Sequence, residues 1–114
     1  MDVFEALAAP IRREIIEMLS SKGRLSAGDI CQRFDASPPA ISQHLKVLRE
    51  AKLVRVERQG QLRIYQIDPK GMAEIEEWSQ RMTRLWNKRL DAFEKVLHAE
   101  KEKMKTRTNK GRSK

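Results

Sequence analysis

The stretch DASPPAISQHLKVLREAKLVR, residues 35 to 55, decides the fold that the rest of the chain completes. Ser37 is a favoured N-cap residue, because its hydroxyl can accept a hydrogen bond from a free backbone N–H of the first helical turn. Pro38 suits the first helical position, since the N–H that proline lacks would have no partner within the helix. Apolar residues then recur at helical spacing from Ile41 to Leu48. The segment therefore predicts a capped amphipathic helix with one face directed to a core.

The opposite face of this helix carries Ser42, Gln43, Lys46 and Arg49. Hydroxyl, amide and cationic side chains are the groups that read base edges or contact phosphates in nucleic acids. A helix with one face for a core and another for nucleic acid is the recognition element of a helix-turn-helix. The pattern therefore predicts a DNA-binding helix at this place in the chain.

Length and composition bound the class of protein. A chain of 114 residues with 39% hydrophobic and 35% charged residues predicts one folded, helix-rich domain. No apolar run approaches the roughly 18 residues that span a membrane, so no membrane partner is expected. The N-terminus carries acidic residues where a signal peptide has cations, and one cysteine fits a reducing compartment. These features predict a cytoplasmic protein.

Positive charge is concentrated in two segments. The net charge is +8, of which residues 99–114 contribute +5 through seven Lys/Arg and two Glu. Residues 37–66 contain six Lys/Arg and two Glu, a local +4, so the remaining residues sum to −1. A concentration of cations on one helix and the strands after it is typical of a protein with a polyanionic partner.

The remaining segments alternate between helical and strand periods. A short helix is expected from Val3 to Ala8 with Val3, Phe4 and Leu7 directed inward, followed by a helix from Ile11 to about Ser21. Ser26 can cap a third helix, in which Ile30, Cys31 and Phe34 are directed inward. Gln59-Gly60 predicts the turn of a β-hairpin. Its second strand leaves two alternatives open, because Leu62, Ile64 and either Ile67 or Tyr65 can face the core.

A long amphipathic helix is predicted from Lys70 to about His98. A domain of this size has too little surface to cover so long an apolar stripe, so the stripe is expected to pack against a second copy of the chain. The sequence therefore predicts a globular domain over residues 1–98 and a basic, disordered tail over residues 99–114. The expected dimer interface comprises Phe4, Leu7, Ile75, Trp78, Met82, Leu85, Trp86, Leu90, Phe93 and Leu97.

The chain resembles the ArsR/SmtB family of bacterial transcriptional repressors in three segments. These are ALAAPIRREIIEML, LSAGDICQRFDASPPAISQHLKVLREAKLVRVERQGQLRIYQIDP and WNKRLDAFEKVL. They span nearly all of residues 4–97, and the last one is similar to the SdpR-like branch, which lacks metal sites. The resemblance implies a mainly α fold with a small β-hairpin (α+β), a winged helix-turn-helix with a long C-terminal dimerisation helix. It places Ser37 to Ala51 in the major groove and Arg55 to Ile67 in the wing.

The polar-face pattern and this resemblance together define the expected DNA contacts. Gln43 could pair with an adenine edge, whereas Lys46, Arg58 and Arg63 are expected to contact phosphates. The full set of expected DNA-binding residues is Ser37, Pro39, Ala40, Ser42, Gln43, His44, Lys46, Arg58, Gln61 and Arg63.

No metal or other cofactor is expected. Ser26 and Gly28 occupy the positions at which metal-sensing members of the family carry their thiolates, and zinc sites need four converging ligands. Cys31 is expected to be a small buried residue, because a dithiol sensor would need a second cysteine. His44 is expected to contact DNA or pack beside the groove, and His98 to lie near the end of the long helix.

These observations predict a homodimeric, sequence-specific repressor that occupies a palindromic operator without metal regulation. The alternatives are an architectural DNA-binding protein and a sensor whose ligand binds between dimer helices, near Trp78 and Trp86. No arrangement of nucleophile, base and acid and no phosphate-binding glycine loop is present, so no enzymatic activity is expected. A winged helix that binds protein is less favoured, because its recognition face would be acidic or apolar. Any small-molecule effector is unknown.

Overall fold

The computed structural model describes the backbone of residues 2–112 and, among these, the side chains as far as residue 106. The chain divides into two compact units, Met1–Glu77 and Trp78–Lys114. This division differs from the domain boundary expected at residue 98. The elements are α1 (Val3–Ala6), α2 (Pro10–Lys22), β1 (Arg24–Ser26), α3 (Ala27–Gln32), α4 (Pro38–Glu50), β2 (Val54–Gln59), β3 (Leu62–Ile67) and α5 (Pro69–Arg112).

Side-chain caps begin the helices of the helix-turn-helix. The hydroxyl oxygen of Ser37 accepts a hydrogen bond from the backbone N–H of Ala40 at 3.3 Å, and Pro38 follows at the first helical position. Ser26 caps α3 in the same way, accepting from the N–H of Asp29 at 3.1 Å. Each cap satisfies a backbone donor that the first helical turn leaves free. The predicted starts of both helices are therefore confirmed.

The sheet has three antiparallel strands in the order β1-β3-β2, where the sequence predicted only two. The missed strand β1 has three residues, and its Leu25 is buried opposite Tyr65. The hairpin turn consists of Gly60 and Gln61, one position later than expected, because Gln59 still pairs with Leu62. Gly60 adopts a φ of 62°, which glycine tolerates without steric cost. A hairpin is thus confirmed with a corrected turn.

The hydrophobic core lies in the first unit and is shared by all its elements. Of the two residues that the sequence left open, Tyr65 is buried at 5% exposure and Ile67 is only partly buried. Leu62, expected to face the core in either case, is 57% exposed, so that expectation is wrong. Phe4, expected to point inward, is 41% exposed, because Val3 and Ala6 form the buried face of α1. The buried residues are Val3, Ala6, Ile15, Ile16, Leu19, Leu25, Ile30, Ile41, Leu45, Val47, Leu48, Ala51, Leu53, Val54 and Tyr65.

A close backbone contact joins the end of α4 to the start of α5. The N–H of Gly71 donates to the carbonyl oxygen of Lys52 at 2.8 Å, and the N–H of Asp68 donates to that of Leu53 at 2.9 Å. Lys52 has a φ of 60°, a left-handed conformation that costs a non-glycine residue roughly 1–2 kcal/mol. The surrounding hydrogen bonds hold the chain in this turn, which directs it from the recognition helix into the hairpin.

The helix α5 continues to Arg112, so the helix end expected near His98 is wrong for the described residues. The apolar stripe stops near Leu97, but the following Ala, Glu, Lys and Met residues have high intrinsic helix propensity. An ion pair between Lys103 and Glu100 at 3.7 Å, three residues apart, lies on this segment. Because α5 extends to Arg112, His98 lies inside the helix and not near its end. Residues 113 and 114 lie outside the described residues.

Candidate nucleic-acid interface

The two faces of α4 differ as the sequence predicted. Ile41, Leu45 and Leu48 are buried in the core, while Ser42, Gln43, Lys46 and Arg49 are exposed. Because α4 is preceded by α3 and a short turn, this unit is a helix-turn-helix with α4 as its second helix. Within the unit Met1–Glu77, the polar face of α4 is therefore exposed and accessible to a binding partner.

A cleft of about 370 Å³ lies between the exposed face of α4 and strand β3. It brings together side chains that are up to 26 positions apart, and its lining contains three cations and no carboxylate. Hydrogen-bonding groups of neutral side chains lie beside these cations. The lining residues are Pro39, Ser42, Gln43, Lys46, Arg49, Arg63 and Tyr65.

Five of the ten expected DNA-binding residues line this cleft: Pro39, Ser42, Gln43, Lys46 and Arg63. Ser37 is exposed, but its hydroxyl oxygen caps α4, and Ala40 is half-buried at the first helical turn. Arg58 and Gln61 lie elsewhere on the hairpin. Sequence reasoning omitted Arg49 and Tyr65 from the site. The position of Arg49 on the polar face of α4 could have predicted its place in the site. The alternating pattern of β3 could not do so for Tyr65, because the same pattern fits a core residue.

The tip of the hairpin is strongly basic. Arg58 and Arg63 are directly opposite each other across β2 and β3, and both are exposed. Like charges at such a position destabilise a strand pair, because their side chains lie about 5 Å apart. An anionic partner would remove this repulsion.

His44 is directed toward α2 and does not line the cleft. Its Nδ1 lies 3.3 Å from a guanidinium nitrogen of Arg12, and the same guanidinium donates to the carbonyl oxygens of Glu5 and Ala6. Burial and then the positive charge of Arg12 lower the pKa of His44 from its ordinary value of 6.5. A neutral imidazole whose Nδ1 accepts from Arg12 satisfies this arrangement. His44 thus connects the recognition helix to α1 and α2.

Acid should therefore destabilise the fold through His44. Below pH 6.5 His44 is protonated in the unfolded chain but still neutral in the folded chain, because folding lowers its pKa. Stability present at neutral pH is therefore lost as the pH falls through the lowered pKa. We expect melting temperatures to fall between pH 7 and pH 5 and His44→Asn to flatten this dependence. The exposed His98 is the only other histidine, so His98→Asn is the matched control. An unchanged slope in His44→Asn would contradict the assignment.

Within the described residues, no group of three His, Cys, Asp or Glu side chains is placed to hold a metal ion. Cys31, expected to be buried, is half-buried against the core as a free thiol. Across the same residues, no helix is long and apolar enough to cross a membrane.

The second unit exposes the apolar stripe that the sequence assigned to a dimer interface. Met82, Leu85, Trp86, Leu90 and Phe93 are between 39% and 64% exposed. Phe4, Trp78 and Leu97 are also exposed. In contrast, Leu7 and Ile75 are partly buried against the core of the first unit. Trp86, Arg89, Leu90 and Phe93 enclose a largely apolar depression of about 420 Å³.

A helix-turn-helix followed by a hairpin beside its second helix defines a winged helix-turn-helix protein. Residues 7–57 match a family model described as a helix-turn-helix domain. The chain is 37% identical to the HTH-type transcriptional regulator Rv2034 of Mycobacterium tuberculosis, over 85% of this chain and 87% of that protein. It is 35% identical to the transcriptional repressor SdpR of Bacillus subtilis, over 68% and 84% of the two chains.

A solved structure supports the same assignment. The ArsR-like transcriptional regulator from Rhodococcus sp. RHA1 superposes with a TM-score of 0.72 at 27% identity, over 85% of this chain and 88% of that one. The chain belongs to the ArsR family of winged helix-turn-helix transcriptional regulators. This family consists of DNA-binding regulators and not of enzymes. The expectation of a DNA-binding regulator and the expectation of no enzymatic activity are therefore confirmed for the family.

Proposed function

We propose that this protein is a homodimeric repressor that occupies a palindromic operator and is not regulated by metal. The observation that carries the proposal is the cleft between α4 and β3, which places base-reading and cationic side chains on one surface. Two recognition helices related by a two-fold axis require two half-sites related by the same axis. Repression follows from occupancy, and SdpR is a repressor by name. A protein that binds chromosomal DNA in this way works in the cytoplasm of a bacterium.

The residues of the interface divide into two roles. Ser42 and Gln43 are exposed on α4 and carry the hydrogen-bonding groups that distinguish base edges in the major groove. Lys46 and Arg63 carry point charges beside them, and such contacts to phosphates are independent of sequence. Arg58 extends the same charge to the tip of the wing. Sequence choice therefore comes from Ser42 and Gln43, and affinity from the cations.

Gel shifts with Gln43→Ala and Arg63→Ala test this division on operator and scrambled duplexes at several salt concentrations. Gln43→Ala should weaken operator binding by roughly 1–3 kcal/mol and leave scrambled DNA nearly unaffected. Arg63→Ala should weaken both complexes and lower the salt slope by about two units, one for each protomer of the dimer. Equal binding of the wild-type protein to both duplexes would replace the sequence-specific regulator with an architectural DNA binder.

Independence from metal rests on the residues at the family's thiolate positions. Ser26 uses its hydroxyl oxygen to cap α3, and Gly28 has no side chain to coordinate an ion. Zinc or cadmium added to the DNA-bound protein should therefore leave the complex intact in a fluorescence-anisotropy titration. Release of the duplex at one equivalent of metal per protomer would show a regulatory site and reject this part of the proposal.

A further inference from the structure

The cleft is lined by a buried tyrosine whose hydroxyl has no hydrogen-bond partner among the described residues. Tyr65 is 5% exposed and lies on the central strand β3, where it is paired with Leu25 on one side and Val56 on the other. Its hydroxyl makes no hydrogen bond with any residue that the structure describes, yet it is not sealed from solvent. Buried tyrosine hydroxyls usually have a hydrogen-bond partner. Because Tyr65 lines the cleft, this hydroxyl is available to a ligand there.

Three cations surround this position. Arg63 precedes Tyr65 by two residues and therefore lies on the same face of the strand. Lys46 and Arg49 are three residues apart on α4, a spacing that places them on one helix face. Among the side chains that the structure describes, none of the three forms an ion pair with a carboxylate. A concave surface with three unpaired positive charges attracts an anion.

We propose that Lys46, Arg49, Arg63 and the hydroxyl of Tyr65 form a subsite for one phosphate of the DNA backbone. This inference rests on the proposed DNA binding and adds Arg49 and Tyr65 to the interface. The tyrosine hydroxyl donates a hydrogen bond to a non-bridging phosphate oxygen, while the three cations attract the negative charge of the phosphate. The phosphodiester of a duplex is the occupant, because Ser42 and Gln43 line the same cleft and have the groups that read bases.

The subsite has a consequence for how the protein aligns on DNA. Lys46 and Arg49 come from the recognition helix, and Arg63 and Tyr65 come from the wing strand. A phosphate bound to both elements holds the helix and the wing at one register on the duplex. Contacts of this kind position a protein without carrying sequence information. Loss of the subsite should therefore weaken operator and scrambled complexes by the same factor.

Tyr65→Phe removes only the hydroxyl and keeps the ring in the core. We expect binding to operator and scrambled duplexes to weaken roughly ten-fold, the usual size of a hydrogen bond to a charged group, with the salt slope unchanged. Arg49→Gln should weaken both complexes and lower the salt slope by about two units, one for each protomer of the dimer. Lys22→Gln, at the exposed end of α2 and outside the cleft, is the matched control and should leave both unchanged. Melting temperatures of all variants verify folding.

A duplex with single neutral methylphosphonates identifies the contacted phosphate. At one position per half-site the substitution should weaken wild-type binding by at least about ten-fold and Tyr65→Phe binding by a clearly smaller factor, because the variant has already lost the hydroxyl contact and keeps only the cations. Wild-type affinity of Tyr65→Phe for unmodified DNA, or additive losses at every position, would overturn the subsite. Calorimetric titration with inorganic phosphate tests whether the cleft binds a free phosphate ion instead of DNA. If the wild type bound phosphate tightly and Tyr65→Phe did not, while both bound DNA equally, the cleft would be a site for a free anion. A wild-type protein that bound no duplex would instead reject the proposed function itself.

Discussion

In the proposed homodimer, replacing Leu90 and Phe93 by glutamate should separate the protomers and weaken operator binding by at least about 100-fold. Both side chains lie on α5, at 39% and 58% exposure, and together they form part of the apolar depression around Trp86. A dimer buries this surface, and two carboxylates placed there would have to be desolvated without partners. A dimer also presents two half-site readers at once, an advantage of roughly 10²–10⁴ in affinity that a monomer loses.

Light scattering after size-exclusion chromatography measures the mass, and anisotropy with an operator duplex measures the affinity. Lys88→Glu with Lys95→Glu is the control, because these residues lie off the stripe and the replacement changes the net charge even more. The control should remain dimeric. A dimer that survives the replacement of Leu90 and Phe93 would show that the protomers associate through another surface.

Gly71→Ala should lower the melting temperature by roughly 10 °C or more. A Cβ at this position would lie 2.5 Å from the carbonyl oxygen of Lys52 and 2.9 Å from a methyl carbon of Leu53. The backbone must shift to relieve the overlap, and this shift breaks the 2.8 Å hydrogen bond from Gly71 to Lys52. Overpacking of about 1–3 kcal/mol and a lost buried hydrogen bond act together, and each kcal/mol lowers the melting temperature of a small domain by roughly 4–8 °C.

Gly28→Ala is the matched control for this experiment. Gly28 lies in α3, where an added Cβ would meet only the hydroxyl oxygen of Ser26 at 3.9 Å. Alanine in a helix is more stable than glycine by roughly 0.5–1 kcal/mol, so this variant should melt at or above the wild-type temperature. If Gly71→Ala melted within one degree of the wild type, the close approach of α5 to Lys52 would not exist in solution.

Those features that the sequence predicted correctly are encoded within a few neighbouring residues. The Ser37 cap, the following proline and the apolar spacing of α4 specify the start of the recognition helix and its buried face. The exposed residues of the same helix then follow from its periodicity, including most of the cleft lining. Gly60 marks the hairpin to within one residue, since few other residues adopt its positive φ.

The end of α5 was missed for a different reason. The apolar stripe ends after Leu97, and its loss predicts the end of the helix at that place. Backbone hydrogen bonds within a helix do not require a buried face, and Ala, Glu, Lys and Met favour the helical conformation by themselves. The helix therefore continues to Arg112 in the structure. An amphipathic pattern predicts what a helix can bury, and intrinsic propensity also affects where it stops.

By itself, then, the sequence determined the capped recognition helix, its two faces, the hairpin and the concentration of charge beside them. Only the tertiary structure decided that Tyr65 is the buried residue of β3 and that Leu62 is exposed, because the pairing of β3 with the three-residue β1 joins positions about 40 residues apart. It also decided that His44 contacts Arg12 and that α5 begins against Lys52. Such contacts depend on how distant segments pack, and no pattern of neighbouring residues contains that information.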